Sequence, residues 1–81
     1  MIDPSEYNKI LIEQIGYYAS QKKKIQYGTY VVTFSRRRRK GVYLYIVTLK
    51  QNGSNAKIGL FTEYGLAVKY AGSLLYGIGF R

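Results

Sequence analysis

The 81-residue chain contains no cysteine, no histidine and no tryptophan, a single proline, and only four acidic residues against 13 lysines and arginines. Each absence closes off a chemistry. Without cysteine there is no disulfide framework, no thiolate nucleophile and no zinc ribbon. Without histidine the commonest acid–base group and metal ligand is missing. Asp3, Glu6 and Glu13 gather near the N-terminus, where capping and the helix dipole account for two of them, and Glu63 stands alone late in the chain. No two carboxylates are spaced to share acid–base work or to hold a metal. No Gly-x-Gly-x-x-Gly or P-loop pattern separates a strand from a helix, and Gly77-Ile78-Gly79 reads as a helix stop. The expectation is a non-catalytic protein without cofactor or metal.

Long apolar runs are also scarce. Tyr64–Phe80 is apolar apart from Lys69, but 17 residues is the low limit for a membrane span and the lysine falls near its centre. A helix docked on a sheet, or against its twin in a dimer, explains the pattern at lower cost, so no membrane partner is expected. Met1 stands directly before the first helix-start signal, which leaves no room for a signal peptide; the expected location is cytoplasmic, or a virion.

What is present is positive charge, and its placement says more than its size. From Gln14 to Thr62 there is no acid, while Lys22, Lys23, Lys24, Arg36, Arg37, Arg38, Arg39, Lys40, Lys50 and Lys57 are all basic. That segment therefore carries +10, more than the net +9 of the whole chain. Such a surface attracts polyanions and steers them in over a Debye length. Apolar content of 47% argues against disorder, so the charge sits on a folded body.

The pattern predicts one α+β domain: an N-terminal helix, a three-stranded antiparallel β-sheet with room for a fourth strand, and a C-terminal helix. Asp3 as N-cap, Pro4 at the first helical position, Glu6 in a capping box and an Ile2–Tyr7 staple start a helix running to about Ala19. Tyr7, Leu11, Ile15 and Tyr18, widened by Ile10 and Ile12, form its apolar stripe, and Gly16 weakens its last turns. Gln26–Ser35 and Val42–Lys50 are strand material, joined by RRRRKG as a hairpin loop. Asn52-Gly53 marks a turn, Lys57–Phe61 a short strand, and Thr62 and Glu63 open the last helix. With Arg38 and Arg39 at the hairpin turn, Phe34 pairs with Tyr43, Val32 with Tyr45 and Tyr30 with Val47. One face then holds Tyr30, Val32, Phe34, Tyr43, Tyr45 and Val47, and the other Val31, Thr33, Val42, Leu44 and Ile46. Both faces are largely apolar, so each needs a helix, a partner subunit or a ligand to cover it.

Five adjacent cations repel one another and contribute little to stability, whereas arginine's planar fork suits phosphate oxygens. Ten tyrosines and three phenylalanines accompany them. Basic residues interleaved with aromatics fit single strands better than duplex, because unpaired bases offer their ring faces. The candidate site is Arg36–Arg39, Lys40, Lys22–Lys24 and Lys57 for phosphates, with Tyr30, Tyr43 and Tyr45, and Phe34 beside them, for stacking or packing. A helix-turn-helix fits less well, since neither predicted helix is basic enough to read a groove.

A basic hairpin, an aromatic antiparallel sheet and a helix capped by Thr62 directly after the last strand occur here in one order. From Lys24 to Tyr76 this order resembles the positive-cofactor-four family of single-stranded DNA-binding proteins, whose last strand tends to read Lys-Gly, apolar alternation, then Ser/Thr at the cap. KIGLFTEY offers Lys57, Gly59, Leu60 and Thr62, with Gly59 one residue closer to the cap than in that pattern and Tyr64 early in the helix. The resemblance implies a curved sheet, a homodimer formed through the C-terminal helix, and unpaired strands held in basic sheet grooves. The competing expectation is a structural protein, such as a small virion or assembly component, whose basic loop and apolar faces meet protein partners.

Overall fold

The computed structural model describes residues 4–80, with side chains from Tyr7 onward. The elements run α1 (Pro4–Lys22), β1 (Lys24–Tyr27), β2 (Tyr30–Arg39), β3 (Val42–Gln51), β4 (Ser54–Phe61) and α2 (Tyr64–Gly77). The four strands form one antiparallel sheet in the order β1-β2-β3-β4, and the helices pack side by side on one of its faces. The molecule measures 45 × 31 × 18 Å, a two-layer slab.

The fourth strand comes from dividing the predicted Gln26–Ser35 strand. Gly28, at φ +62°, breaks it and folds β1 back on β2 through a Gly-Thr turn with the glycine-first pattern of type II′. The next two hairpins close over Lys40-Gly41 and Asn52-Gly53, each with positive φ at both residues as a type I′ turn requires. The predicted RRRRKG loop is thereby corrected. Arg36–Arg39 are strand residues paired with Val42–Tyr45, and only Lys40 and Gly41 turn. Glycine fixes the turn because it alone supplies positive φ without a Cβ penalty. Phe34 accordingly faces Val47 and not Tyr43, a register shift of four residues. An even shift leaves every side chain on its original face, so the predicted division into two faces holds while each predicted pair changes.

The core lies between that first face and the helices. Ile25, Val32, Phe34, Val47 and Leu49 from the sheet meet Ile15 and Ala19 of α1 and Ala67, Val68, Ala71, Leu74 and Leu75 of α2. Asn8, Ile12, Gly16 and Ser20 of α1 lie opposite Tyr76, Gly72, Val68 and Tyr64 of α2, one turn per step in antiparallel sense. The buried line of α1 is thus Leu11, Ile15 and Ala19 with Gly16, while Tyr7, Ile10 and Tyr18 of the predicted stripe stay exposed. The predicted cap before Pro4, formed by Ile2, Asp3 and the Glu6 side chain, lies outside the described residues.

Backbone hydrogen bonds and one left-handed residue each terminate the helices. α1 runs three residues past Ala19 and stops at Lys23, whose φ of 65° and N–H bond to the Ala19 carbonyl (2.8 Å) make a left-handed C-terminal cap. α2 begins after Glu63, which occupies the N-cap without a side-chain cap bond, so the predicted Thr62 cap is displaced by one residue. It ends in a Schellman motif, with Phe80 N–H to the Leu75 carbonyl, Gly79 N–H to that of Tyr76, and Gly79 at φ +97°. Among the described residues no helix is long and apolar enough to cross a membrane.

Candidate nucleic-acid interface

The β2–β3 hairpin extends past the helices, and Arg36–Tyr43 are exposed throughout. Alternation along β2 divides the arginines. Arg36 and Arg38 project from the helix-side face with Tyr43 and Tyr45, and Arg37 and Arg39 from the opposite face with Val42 and Leu44. The guanidinium carbon of Arg36 lies 4.7 Å, and that of Arg38 5.7 Å, from the Tyr43 ring centroid. Two cations therefore share one aromatic ring in reach of cation–π attraction, which favours these positions of their forks. Among the described residues no carboxylate lies within 4.0 Å of any arginine; the ion pair found, Glu13–Lys69 at 4.0 Å, is exposed and sits between the helices.

Behind this hairpin half, between the C-terminus of α1 and the N-terminus of α2, opens a cleft of about 440 Å³ lined by Lys23, Arg36, Ser20, Phe34, Tyr45 and Tyr64. Tyr64 is its centre. Its ring meets Tyr45 (5.5 Å) and Phe34 (5.9 Å) edge to face, and Tyr17 at 6.2 Å. Ser20 donates its hydroxyl to the Tyr17 carbonyl (2.8 Å), which leaves Tyr64 as donor in the 2.6 Å Ser20–Tyr64 bond. That chain fixes the ring's orientation. Lys23 is pinned on both sides, since its carbonyl also accepts the Phe34 N–H at 2.7 Å. A non-glycine residue in the left-handed region costs on the order of 1–2 kcal/mol, so this lysine stands where stability alone would favour glycine.

The remaining predicted positions fall elsewhere. Lys22 ends α1 with its ammonium 5.7 Å from the Tyr18 ring centroid. Lys24, paired with Thr33, lies on the open face of the sheet. Lys40 occupies the hairpin turn. Lys57 is paired with Leu49 and Tyr30 with Gln51, near the opposite end of the sheet, displaced from Arg36 by roughly 13 and 20 Å along the strands at ~3.3 Å per strand residue. Neither joins the arginines. Tyr30 is half-buried and packs on the core, and Phe34 is buried. The open face of the described sheet carries no aromatic residue, because Tyr27, Tyr30, Phe34, Tyr43, Tyr45 and Phe61 all share the helix side. In place of an open aromatic sheet, Arg36, Arg38, Tyr43 and Tyr45 share the helix-side face of the hairpin, and Arg36, Tyr45 and Lys23 line the adjoining cleft. Ser20 and Tyr64 escape a reading of the sequence, because their approach depends on antiparallel helix packing across 44 positions.

No family model, curated protein or solved structure matches this chain. On the uncovered face of the sheet, Val31, Leu44 and Ile46 accompany the more exposed Val42 (55%), Ile58 (55%) and Leu60 (61%), and Lys24, Arg37, Arg39 and Lys50 stand among them. Thr33 and Thr48 hydrogen-bond across the middle of it.

Proposed function

We propose that this is a non-catalytic nucleic-acid-binding protein that prefers single strands. The observation that carries the reading is that Arg36 and Arg38 both lie within cation–π reach of the Tyr43 ring, free of acidic partners among the described residues, on a hairpin that projects from the body. Guanidinium forks supply phosphate contacts and the ring edges and faces supply stacking, a combination that unpaired bases can use and a closed duplex cannot. The fourth strand and the helix directly after it support the likeness to the positive-cofactor-four arrangement over Lys24–Tyr76. In that arrangement the C-terminal helix makes the dimer; here α1 and the sheet already cover the apolar side of α2, so the dimer contact proposed for this chain is the open sheet face instead.

Fluorescence anisotropy of a labelled single-stranded oligonucleotide and its duplex at two salt concentrations tests the reading. Tighter single-strand binding is expected, with log affinity falling by ~0.7 per neutralised phosphate for each decade of salt. Equal affinity for both forms would reduce the protein to a nonspecific polycation. The second reading, a structural or assembly protein, is favoured by one observation: the exposed aliphatic strip of Val42, Ile58 and Leu60. Concentration-dependent assembly without nucleic acid, together with no oligonucleotide binding at low salt, would decide for it.

A further inference from the structure

The cleft behind the hairpin has a composition suited to one ligand class. It combines two cations, Lys23 and Arg36, with an aromatic floor and no acidic side chain in its lining, and its volume of about 440 Å³ falls within the roughly 300–1,000 Å³ of small-ligand sites. The two other principal clefts differ. One sets Lys9 and Lys69 against Glu13 with no aromatic ring, and the other has a single cation, Lys57, with Tyr30 and Gln51 among aliphatic and small groups. We infer that the Lys23–Arg36 cleft holds one phosphorylated nucleoside, its phosphate between the two cations and its base against Tyr64 and Tyr45. The inference rests on the nucleic-acid reading and deepens it, by giving a bound strand one discrete nucleotide site beside the hairpin.

Three parts of the site are set before any ligand arrives. The Lys23 backbone is held by hydrogen bonds at 2.8 and 2.7 Å, which directs its side chain from a rigid helix end. Arg36 already rests on the Tyr43 ring. Tyr64 is 41% exposed, yet its hydroxyl is tied to Ser20 and its ring edges meet two aromatic neighbours. The Tyr64 ring therefore has little freedom to lose on binding, and the ordering cost falls mainly on the Lys23 side chain. The chemistry of the lining then selects the ligand: inorganic phosphate leaves the rings unused, a bare nucleoside leaves both cations unused, and a nucleotide engages both. A free mononucleotide and a nucleotide within a strand present the same groups, so the test separates the two sources.

Isotope-labelled protein is titrated with adenosine 5′-monophosphate, adenosine and inorganic phosphate in turn, while anisotropy follows a short single-stranded oligonucleotide. Both are repeated with Lys23→Gly, a change that relieves the left-handed backbone and so leaves the fold intact. The mononucleotide is expected to shift amides in residues 20–24, 34–36 and 64, to bind about tenfold tighter than adenosine or phosphate, and to lose about fivefold to tenfold in Lys23→Gly. Shifts spread evenly over all exposed cations, or an affinity unchanged by Lys23→Gly, would overturn the inference. If the oligonucleotide binds both proteins alike and the mononucleotide is not held, the cleft is refuted while the hairpin reading stands. If the mononucleotide is held and the oligonucleotide binds no tighter, the cleft is a mononucleotide site and the nucleic-acid reading falls.

Discussion

Gly16 of α1 lies directly under the Val68 carbonyl of α2: a Cβ at Gly16 would stand 2.0 Å from that oxygen. One turn along, Gly72 repeats the contact against the Ile12 carbonyl, also at 2.0 Å. The helices therefore touch backbone to backbone at two points, which lets so short a chain seal its core with two helices over four strands. A glycine in a helix interior costs ~1 kcal/mol relative to alanine, and here that cost is offset by close packing.

Gly16→Ala and Gly72→Ala should each destabilise the protein by about 2–3 kcal/mol, because overpacking against a backbone carbonyl outweighs the gain in helix propensity. Gly65→Ala on α2 is the control. Nothing lies within 4 Å of a Cβ there, so the same substitution should stabilise by up to ~1 kcal/mol. Urea denaturation of the three variants reads both signs, and equal effects at all three positions would contradict the close approach.

Lys23→Gly should raise stability by about 0.5–1 kcal/mol. Relief of the left-handed conformation exceeds the extra entropy that glycine gives the unfolded chain. Thermal unfolding checks it; a drop in the midpoint would mean that Lys23 contributes packing beyond its cap.

The arginines can be separated by face. Arg36→Ser with Arg38→Ser should lower single-strand affinity by at least about tenfold and flatten the salt slope by ~1.4, two phosphate contacts' worth. Arg37→Ser with Arg39→Ser removes the same charge from the opposite face and should cost clearly less. Equal losses would show that net charge alone governs binding.

Ile58→Thr with Leu60→Thr replaces exposed aliphatic residues on the open face, 55% and 61% accessible, and should leave stability within about 0.5 kcal/mol. If that face joins two copies, sedimentation at rising concentration will show wild-type protein associating and the variant monomeric.

Much of this protein is legible along the chain because the signals are local. Alternation from Tyr30 to Phe34 and from Val42 to Val47 sorts side chains between two faces, and the sorting survives a wrong register because the error is even. Pro4 and Gly79 bound the helices, and the run of arginines marks the exposed, basic segment of the surface. Errors arise where one local cue is set against another. Polarity gives RRRRKG the look of a loop, although Gly41 marks the turn; exposure on both faces is what allows a projecting hairpin to be so charged. Only the tertiary structure decides which face the helices cover. Periodicity gives the division of a sheet but not its sense, because both faces here are apolar enough to be buried. Packing of α1 and α2 on the aromatic side leaves the aliphatic face open, withdraws Tyr30 and Phe34 from solvent, and brings Ser20, Lys23 and Tyr64 to the arginines across much of the chain. Contacts of that range are set by the packing of whole helices against the sheet, for which the sequence carries no local signal.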